Sequence, residues 1–547
     1  MVQILRGFNI PVRKNEHTSY EDRDNAPTVR SYVEVSFQEQ KARTQIFEGP
    51  SPHWNETIFL EVKPPNNDFR PESLLDSEVG MERIYFHIFD ETLIDIIEDD
   101  RNREVEIHQR RERNWLGSFS MPFTALYEQT KIEGSFHVKV PVVLLGYEKN
   151  AYAGSLENAM FLALDATKES LVDIFITLEP PLAQPAPLKL KFLSDESDRL
   201  LRYATHWCKP PFRHPTRTFY ATTLDLSGRT TFICRFIRPQ EPPPELLTPR
   251  HLLRYVSSIP YLPDRTAFSA DVSLWATSDQ MLELRAGDAT EHAVLLCNFL
   301  MAKGGGNIDV YVVLGIGIPE GRTAYVAMKG KQLAAGIGIG IGGGAEITLM
   351  NAVTGESYSV RDMHLPLKYV WANIQTHDDP PRINWNISDP KKWKPFFCKS
   401  FPKTEYKSVQ IEKLIYRDLS ARYCEDLSVL IENAIVSKIE EWRGHRITRW
   451  NRLVGKKNLH PLVSRMESDF LQPLPPNTPQ HLTPIYQALA ELKTTYRISG
   501  FPLQATFTDI KAIVELVGAT DVHMNADPSA EFALSVCLTR GKGELLY

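Results

Sequence analysis

The first third of the chain alternates apolar and polar positions with a period of two, which is the pattern of half-buried β-strands. The alternation is clearest at 31–37, 57–62, 83–89 and 172–178, with turn residues between these runs. Prolines at Pro180 and Pro181 interrupt the pattern. We therefore predict an all-β sandwich over residues 1–182, with the charged stretch 93–114 as a surface loop or helix.

Beyond the sandwich the pattern changes twice. Residues 183–249 read as a linker that contains a hairpin turning at Ser227-Gly228. Residues 250–404 predict an α+β core, with a helix from about 288 to 302, then strands interrupted by a glycine-rich tract at 336–344. From 405 to 547 apolar residues recur at helical spacing, from Ile411, Leu414 and Ile415 onward, and a last strand is predicted at 532–538.

Composition narrows the class of protein. At 547 residues the chain has room for about three domains, and its 42% hydrophobic and 24% charged residues are ordinary for globular proteins. A net charge of -6 argues against nucleic-acid binding. The six cysteines are dispersed along the chain, which suits a reducing compartment. No apolar run approaches the length of a membrane span, which is about 18 residues. We expect no cofactor.

Short sequence motifs in the first domain are similar to those of C2 domains. The similarity rests on Tyr-Val-Glu-Val at 32–35, Pro-His-Trp-Asn-Glu at 52–56, Phe-Asp at 89–90 and Trp-Leu-Gly at 115–117. Calcium-dependent C2 domains collect about five acidic side chains, because Ca²⁺ takes six to eight oxygen ligands. Here Asp90, Asp22 and Asp24 are the calcium candidates, and Arg30 and Thr92 replace expected acids. We expect a calcium-independent docking module.

The core resembles papain-like transglutaminases in three short stretches. At 287–296 a glycine leads into an apolar helix, and Glu291 and Ala293 match the residues that follow the nucleophile by two and four. This register places Ala289 at the cysteine position. Thr323, in the stretch 323–328, stands where the family has histidine, and Asp362 retains the orienting acid.

A thiol nucleophile needs a thiolate, a base to generate it and a group that orients the base. Alanine and threonine supply neither nucleophile nor base, so the triad positions predict a catalytically inactive core. Cys297 lies two turns further along the helix in an apolar run, which favours an inert core thiol over a substitute nucleophile. Asp288 and His292 are four residues apart, but two ligands are too few for a metal site.

The C-terminal region contains a basic segment at 443–457. It interleaves arginines and lysines with tryptophan, a pattern that fits a contact for acidic lipid heads, tubulin tails or an acidic partner, or else a solvated charged face. The residues we predict for partner binding are Arg443, Arg446, Arg449, Arg452 and Trp450.

Nearly the whole chain resembles the C-terminal half of the family of coiled-coil and C2 domain-containing protein 2A. The stretches that carry the resemblance are 114–117, 121–123, 142–147, 274–280, 318–321, 447–452 and 499–503. That family carries a long N-terminal region with coiled coils, whereas Met1 here opens directly on the first sandwich strand.

The resemblance implies a non-enzymatic scaffold of the ciliary transition zone and basal body, on the cytoplasmic side of the cilium base. It further implies tectonic-like and multi-pass membrane proteins as partners, and a peripheral membrane contact. A papain-like cleft without a nucleophile can hold an extended peptide without turning it over. The alternatives are an active cysteine-type hydrolase or transferase with an unrecognised nucleophile, and a calcium-dependent membrane sensor.

Overall fold

The computed structural model describes most of the chain. The described residues are 1–14, 28–70, 73–74, 82–96, 108–128, 131–148, 169–181, 192–208, 221–264, 273–305, 308–318, 320–330, 347–360, 367–370, 396–402, 407–416, 420–471, 489, 492–496, 498–538, 540–541 and 545–546. Asp22, Asp24, Asp362 and the glycine-rich tract lie outside these residues. No helix in the described part is both long and apolar enough to cross a membrane.

The predicted N-terminal sandwich is confirmed as two packed antiparallel sheets. One has the strand order β6-β1-β11-β9, and the other has the order β4-β3-β7-β8 with β5 beside β3. Alternate residues such as Ile4, Val33, Phe86 and Ile174 are fully buried between the sheets, as the period of two requires. The elements are β1 Val2–Phe8, β2 Val12–Arg13, β3 Arg30–Phe37, β4 Gln40–Arg43, β5 Phe47–Glu48, β6 Glu56–Ile58, β7 Arg83–Ile96, β8 His108–Pro122, α1 Ala125–Glu128, β9 Lys131–His137, β10 Tyr147–Glu148 and β11 Leu171–Thr177.

The charged stretch 93–114 is neither a loop nor a helix in its described part, so that expectation was wrong. In its described residues, 93–96 and 108–114, strands β7 and β8 pair with each other, without a break from Phe89 opposite Trp115 to Ile96 opposite His108. Extension of both strands satisfies the backbone hydrogen bonds of a polar stretch that has no core of its own.

The central region is built around a buried helix and a five-stranded sheet of order β18-β17-β16-β15-β19. Helix α5 is apolar on nearly every side and buried from Glu291 to Leu300, which is typical of a helix enclosed by other elements. The elements are α2 Asp198–Trp207, β12 Thr222–Asp225, β13 Thr230–Phe232, α3 Pro249–Ser257, β14 Leu274–Trp275, α4 Ser278–Leu284, α5 Ala289–Gly304, β15 Ile308–Gly317, β16 Gly321–Gly330, β17 Ile347–Asn351, β18 Glu356–Ser359 and β19 Leu367–Val370.

Contacts cross both borders predicted for this region. The hairpin at Ser227-Gly228 forms, but its strand β12 also pairs with β14, so 183–249 is partly integrated into the core and is not only a linker. The helix predicted from the spacing of Ile411, Leu414 and Ile415 is not found, because 411–416 has no helix and Leu414 packs into the central core. The core therefore continues past residue 404.

The C-terminal region is mainly helical. Its longest helix, α6, buries Leu427, Ile431, Ile435 and Ile439 against the last helix and the strand that follows. The last strand predicted at 532–538 is found only as a two-residue strand, Glu531–Phe532. The elements are α6 Ala421–Arg443, β20 Arg449–Trp450, α7 Arg452–Val454, α8 His460–Leu471, α9 Ile510–Ala519, β21 Glu531–Phe532, β22 Arg540–Gly541 and β23 Leu545–Leu546.

The sandwich contacts both other regions. His137 of β9 packs against the ring of Tyr358 in the central region, with 5.7 Å between ring centroids. On another face, Trp115 packs against Phe501 of the C-terminal region at 4.9 Å. The sandwich therefore contacts the central region through β9 and the C-terminal region through β8.

Candidate functional site

The nucleophile position lies at the first residue of helix α5. Asp288 caps the helix, and its Oδ1 accepts hydrogen bonds from the backbone N–H groups of Thr290 and Glu291 at 2.8 and 2.9 Å. Glu291 returns a bond by accepting from the Asp288 N–H at 3.0 Å. This reciprocal capping fixes where the helix begins. It therefore also fixes Ala289, whose methyl group stands where the resemblance places a thiol.

The base position lies on the strand that faces this helix end. Thr323 is on β16, which packs against α5, and it is only 7% exposed. We call the region between the start of α5 and this strand the cleft and define it by Ala289, Glu320, Thr323, Asn351 and Tyr358. A threonine hydroxyl is not basic near neutral pH, so Thr323 cannot activate a nucleophile as histidine does.

A carboxyl group that the sequence did not single out occupies the cleft beside Thr323. Gly317 allows this close approach, because a Cβ there would lie 2.6 Å from Glu320 Oε2 and 3.0 Å from Thr323 Cγ2. Asn351 donates to Glu320 Oε1 at 3.1 Å and to the Tyr325 hydroxyl at 3.2 Å. Glu320 Oε2 is buried and has no hydrogen-bond partner in the described part of the chain.

Burial sets the electrostatics of the cleft. It raises the pKa of Glu320, and the charge of Glu356 adds to the same effect, whereas the Arg83 guanidinium of the sandwich opposes it. Tyr358 donates a short hydrogen bond to Glu356, and burial raises its pKa as well. The cleft is thus a polar recess with an acid and hydroxyl groups, and the nearest imidazole shown is that of His137 in the sandwich, which packs against the ring of Tyr358.

Cys297 does not replace the missing nucleophile. Its side chain is 1% exposed, and its Sγ lies 3.9 Å from the Met301 sulfur inside the central core. A thiol buried in this way is out of reach of a substrate.

Asp288 and His292 do not form half of a metal site. Both imidazole nitrogens of His292 face backbone carbonyls, Nδ1 to Asp288 O at 2.6 Å and Nε2 to Ile259 O at 3.0 Å. Burial lowers the pKa of this histidine. Among the described residues no group of three or more His, Cys, Asp or Glu side chains could hold a metal ion.

Three carboxyl groups crowd the start of α5. Burial raises the pKa of Asp264, Asp288 and Glu291, and the mutual repulsion of the charges adds to the effect on Asp264 and Glu291. Each of the three nonetheless accepts a backbone N–H, from Leu274 in the case of Asp264. These three carboxyl groups therefore fix the local backbone at the start of α5 through their hydrogen bonds.

The calcium candidate Asp90 is occupied by partners from its own chain. Its carboxylate is fully buried and forms a bidentate pair with Arg13, with both N–O distances at 2.6 Å. The Tyr147 hydroxyl donates to Oδ2 at 2.6 Å, and the Arg30 N–H donates to Oδ1 at 2.9 Å. A guanidinium thus supplies the positive charge at this carboxylate, and four hydrogen bonds use both of its oxygens.

The five predicted partner-binding residues separate into two groups. Arg443 is buried, so its prediction as a surface contact was wrong: it donates to Thr448 Oγ1 and to the carbonyls of His523 and Asn525 at 2.6–3.0 Å. Trp450 is half-buried and donates to Glu440 at 2.9 Å. The side chains that remain exposed are Arg446, Arg449 and Arg452.

Family models match two parts of the chain. A C2 domain model matches residues 1–79, and a CEP76 peptidase-like domain model matches residues 273–396. The second match covers Ala289, Thr323 and Asp362, and it defines the central region as peptidase-like.

Two curated relatives match nearly the whole chain. Human Protein CC2D2B is 30% identical over 98% of this chain and 38% of its own length. The Drosophila melanogaster coiled-coil and C2 domain-containing protein 2A is 25% identical over 100% of this chain and 41% of its own length. The chain thus spans about two fifths of the length of these relatives. A solved C2 domain-containing protein from a putative elicitor-responsive gene shares 14% identity over 35% of this chain and 94% of its own, with a TM-score of 0.14, which carries no argument.

The fold and these matches define the class: a multidomain α+β protein in which a C2 domain precedes a peptidase-like domain and a helical region. Within that class, the chain is similar over nearly its whole length to Protein CC2D2B and to coiled-coil and C2 domain-containing protein 2A, and it aligns with about two fifths of each of these relatives.

Proposed function

We propose that the chain is a non-enzymatic scaffold of the ciliary transition zone, in which the peptidase-like cleft binds an extended peptide without cleaving it. The observation that carries the proposal is the state of the cleft. Its helix start and facing strand are in place, but Ala289 and Thr323 occupy the nucleophile and base positions. Binding without turnover requires that the groove persists while its reactive groups are absent.

Docking by the C2 domain is proposed to be independent of calcium. Arg13 and Tyr147 already satisfy Asp90, and to displace them would leave the Arg13 guanidinium, which is 17% exposed, without a counterion. Breaking a buried pair in this way is strongly unfavourable. The same observation disfavours the calcium-sensor alternative, and the burial of Cys297 disfavours the hydrolase alternative.

The cellular part of the proposal follows the family resemblance. Tectonic-like and multi-pass membrane proteins of the ciliary gate are the proposed partners, and the ciliary base is the proposed location. Nucleic acid is not a proposed partner, because the chain carries a net charge of -6.

Two measurements test the proposal. A tagged copy in ciliated cells should localise at the ciliary base and capture gate membrane proteins, and the purified chain should show no turnover of peptide amides. A matched variant, Glu320→Gln, changes the cleft but not the C2 domain. It should weaken capture of any peptide held in the cleft while the thermal melt is preserved. Absence from the ciliary base, or turnover above the background rate, contradicts the scaffold role.

A further inference from the structure

The basic segment lies within an acid-free run of the sequence. Residues 442–466 contain seven arginines and lysines and no aspartate or glutamate, although the whole chain carries a net charge of -6. Such local asymmetry favours a positive potential at the surface of this run. The run therefore differs from an ordinary solvated face, in which charges of both signs alternate.

The structure holds this run against the C-terminal core and turns its charges outward. Buried Arg443 anchors one end through the carbonyls of His523 and Asn525. Gly455 packs so closely on Leu534 that a Cβ there would lie 2.5 Å from the Leu534 carbonyl oxygen. Leu462, 8% exposed, anchors the helix beyond. The exposed cations between these anchors are Arg446, Arg449, Arg452, Lys456 and Lys457.

These five cations have no ion pair with a carboxylate in the part of the chain that the structure describes. Two carboxylates do contact the segment, because Glu440 accepts from Trp450 and Glu531 accepts from Asn451. Five exposed cations against these two acids leave the segment with an excess of positive charge, which attracts an anionic partner.

Two large aliphatic side chains project from the same segment. Ile447 is 81% exposed and Leu453 is 71% exposed, and each is next to or within two residues of exposed arginines. Charge complementarity alone does not explain the two exposed aliphatic side chains. An acidic peptide would neutralise the arginines but leave both aliphatic side chains in water. A bilayer interface accommodates both features, since it offers anionic head groups for the cations and acyl chains for the apolar tips.

We propose that this surface, formed by Arg446, Ile447, Arg449, Arg452, Leu453, Lys456 and Lys457, docks on an anionic lipid bilayer. The inference deepens the proposed scaffold role, on which it rests for its cellular meaning. It names the membrane as the occupant of this surface. The cations attract the membrane and set the salt dependence, while Ile447 and Leu453 enter the interface and set the depth of contact.

Vesicle flotation of the full chain tests the proposal. Vesicles of phosphatidylcholine with about one third phosphatidylserine should bind the chain, and pure phosphatidylcholine vesicles should not. The triple variant Arg446→Gln, Arg449→Gln, Arg452→Gln should weaken binding at least about tenfold, because each cation near an anionic surface contributes about a factor of five. A matched control neutralises three exposed lysines elsewhere, Lys303→Gln, Lys399→Gln and Lys413→Gln, and should leave binding unchanged.

A second pair of variants separates insertion from simple charge attraction. Ile447→Ser with Leu453→Ser keeps every charge and should weaken vesicle binding several-fold while the thermal melt is unchanged. If this variant binds vesicles as tightly as the parent chain, the bilayer proposal is overturned. If the parent chain binds a polyglutamate peptide in preference to vesicles, the occupant is an acidic protein segment and the proposal fails.

Failure here is distinguishable from failure of the scaffold role. A chain that does not bind vesicles but still captures gate membrane proteins and reaches the ciliary base contradicts only the lipid inference. A chain that floats with anionic vesicles but is absent from the ciliary base contradicts only the cellular role.

Discussion

The calcium candidate of the C2 domain and the predicted catalytic position of the peptidase-like domain differ in what surrounds them. The first is a filled site, because Arg13 and Tyr147 bind both oxygens of Asp90. The second is an emptied site by the family resemblance: Ala289 and Thr323 stand at the predicted nucleophile and base positions, beside a buried Glu320 oxygen that has no hydrogen-bond partner among the described residues. A filled site becomes part of the structural core, whereas an emptied site remains available to a ligand.

The filled site should be the most sensitive to substitution. Asp90→Asn removes the charge that compensates Arg13, so it should lower the free energy of unfolding by about 3 kcal/mol. The matched change Asp195→Asn breaks an exposed pair with Arg229, in which the side chains are 79% and 50% exposed, and should cost less than about 0.5 kcal/mol. Urea denaturation compares the two. Equal small losses would show that the Asp90 network is not structural.

The basic segment at 443–457 also contains one buried arginine and several exposed ones, whose effects on stability should differ. Arg443→Met retains the apolar stem but removes the donors to Thr448, His523 and Asn525, and should cost about 2 kcal/mol. Arg449→Met alters an exposed side chain and should change stability by less than about 0.5 kcal/mol. Thermal melts of both variants provide the measurement. A destabilised Arg449→Met would mean that the exposed arginines also support the fold.

The acidic cluster at the start of α5 should make stability fall with rising pH. Burial raises the pKa of Asp264, Asp288 and Glu291, so the folded chain holds protons that the unfolded chain has released. Their contribution to stability is complete below the ordinary carboxyl pKa of about 4 and is lost as pH rises through the raised values. Asp264→Asn should flatten this fall by on the order of 1 kcal/mol.

The measurement is the free energy of unfolding between about pH 6.5 and 8.5, where the buried histidines with lowered pKa are neutral in the folded chain. Asp195→Asn is the control and should keep the slope of the parent chain. A stability that rises with pH across this window would show that the cluster is ionised in the folded protein.

Local patterns predicted the elements, and long-range contacts decided the sites. The helix predicted for 288–302 is found at Ala289–Gly304, because the apolar run and the acidic cap are local signals. The spacing of Ile411, Leu414 and Ile415 is equally helical, yet Leu414 is drawn into the central core and the segment has no helix. Tertiary packing overrode periodicity there.

The functional side chains that sequence reasoning missed are partners across the fold. Arg13 and Asp90 are 77 residues apart, and nothing in either neighbourhood indicates that they pair. Glu320 and Asn351 meet only because two hairpins of the sheet bring them together. Arg443 looks like its exposed neighbours in sequence, and only the carbonyls of His523 and Asn525, about 80 residues on, make it structural.

The emptied cleft is tested most directly by returning the thiol to it. The parent chain and Ala289→Cys are incubated with a thiol-reactive peptide amide probe, and labelling and turnover are followed by intact-protein mass spectrometry. We expect no labelling of Cys297 and no turnover in the parent, because that thiol is 1% exposed. Ala289→Cys should be labelled at residue 289, keep its stability within about 0.5 kcal/mol and show no turnover, since Thr323 cannot serve as the base. Turnover by the parent chain with stoichiometric labelling of Cys297 would contradict the account.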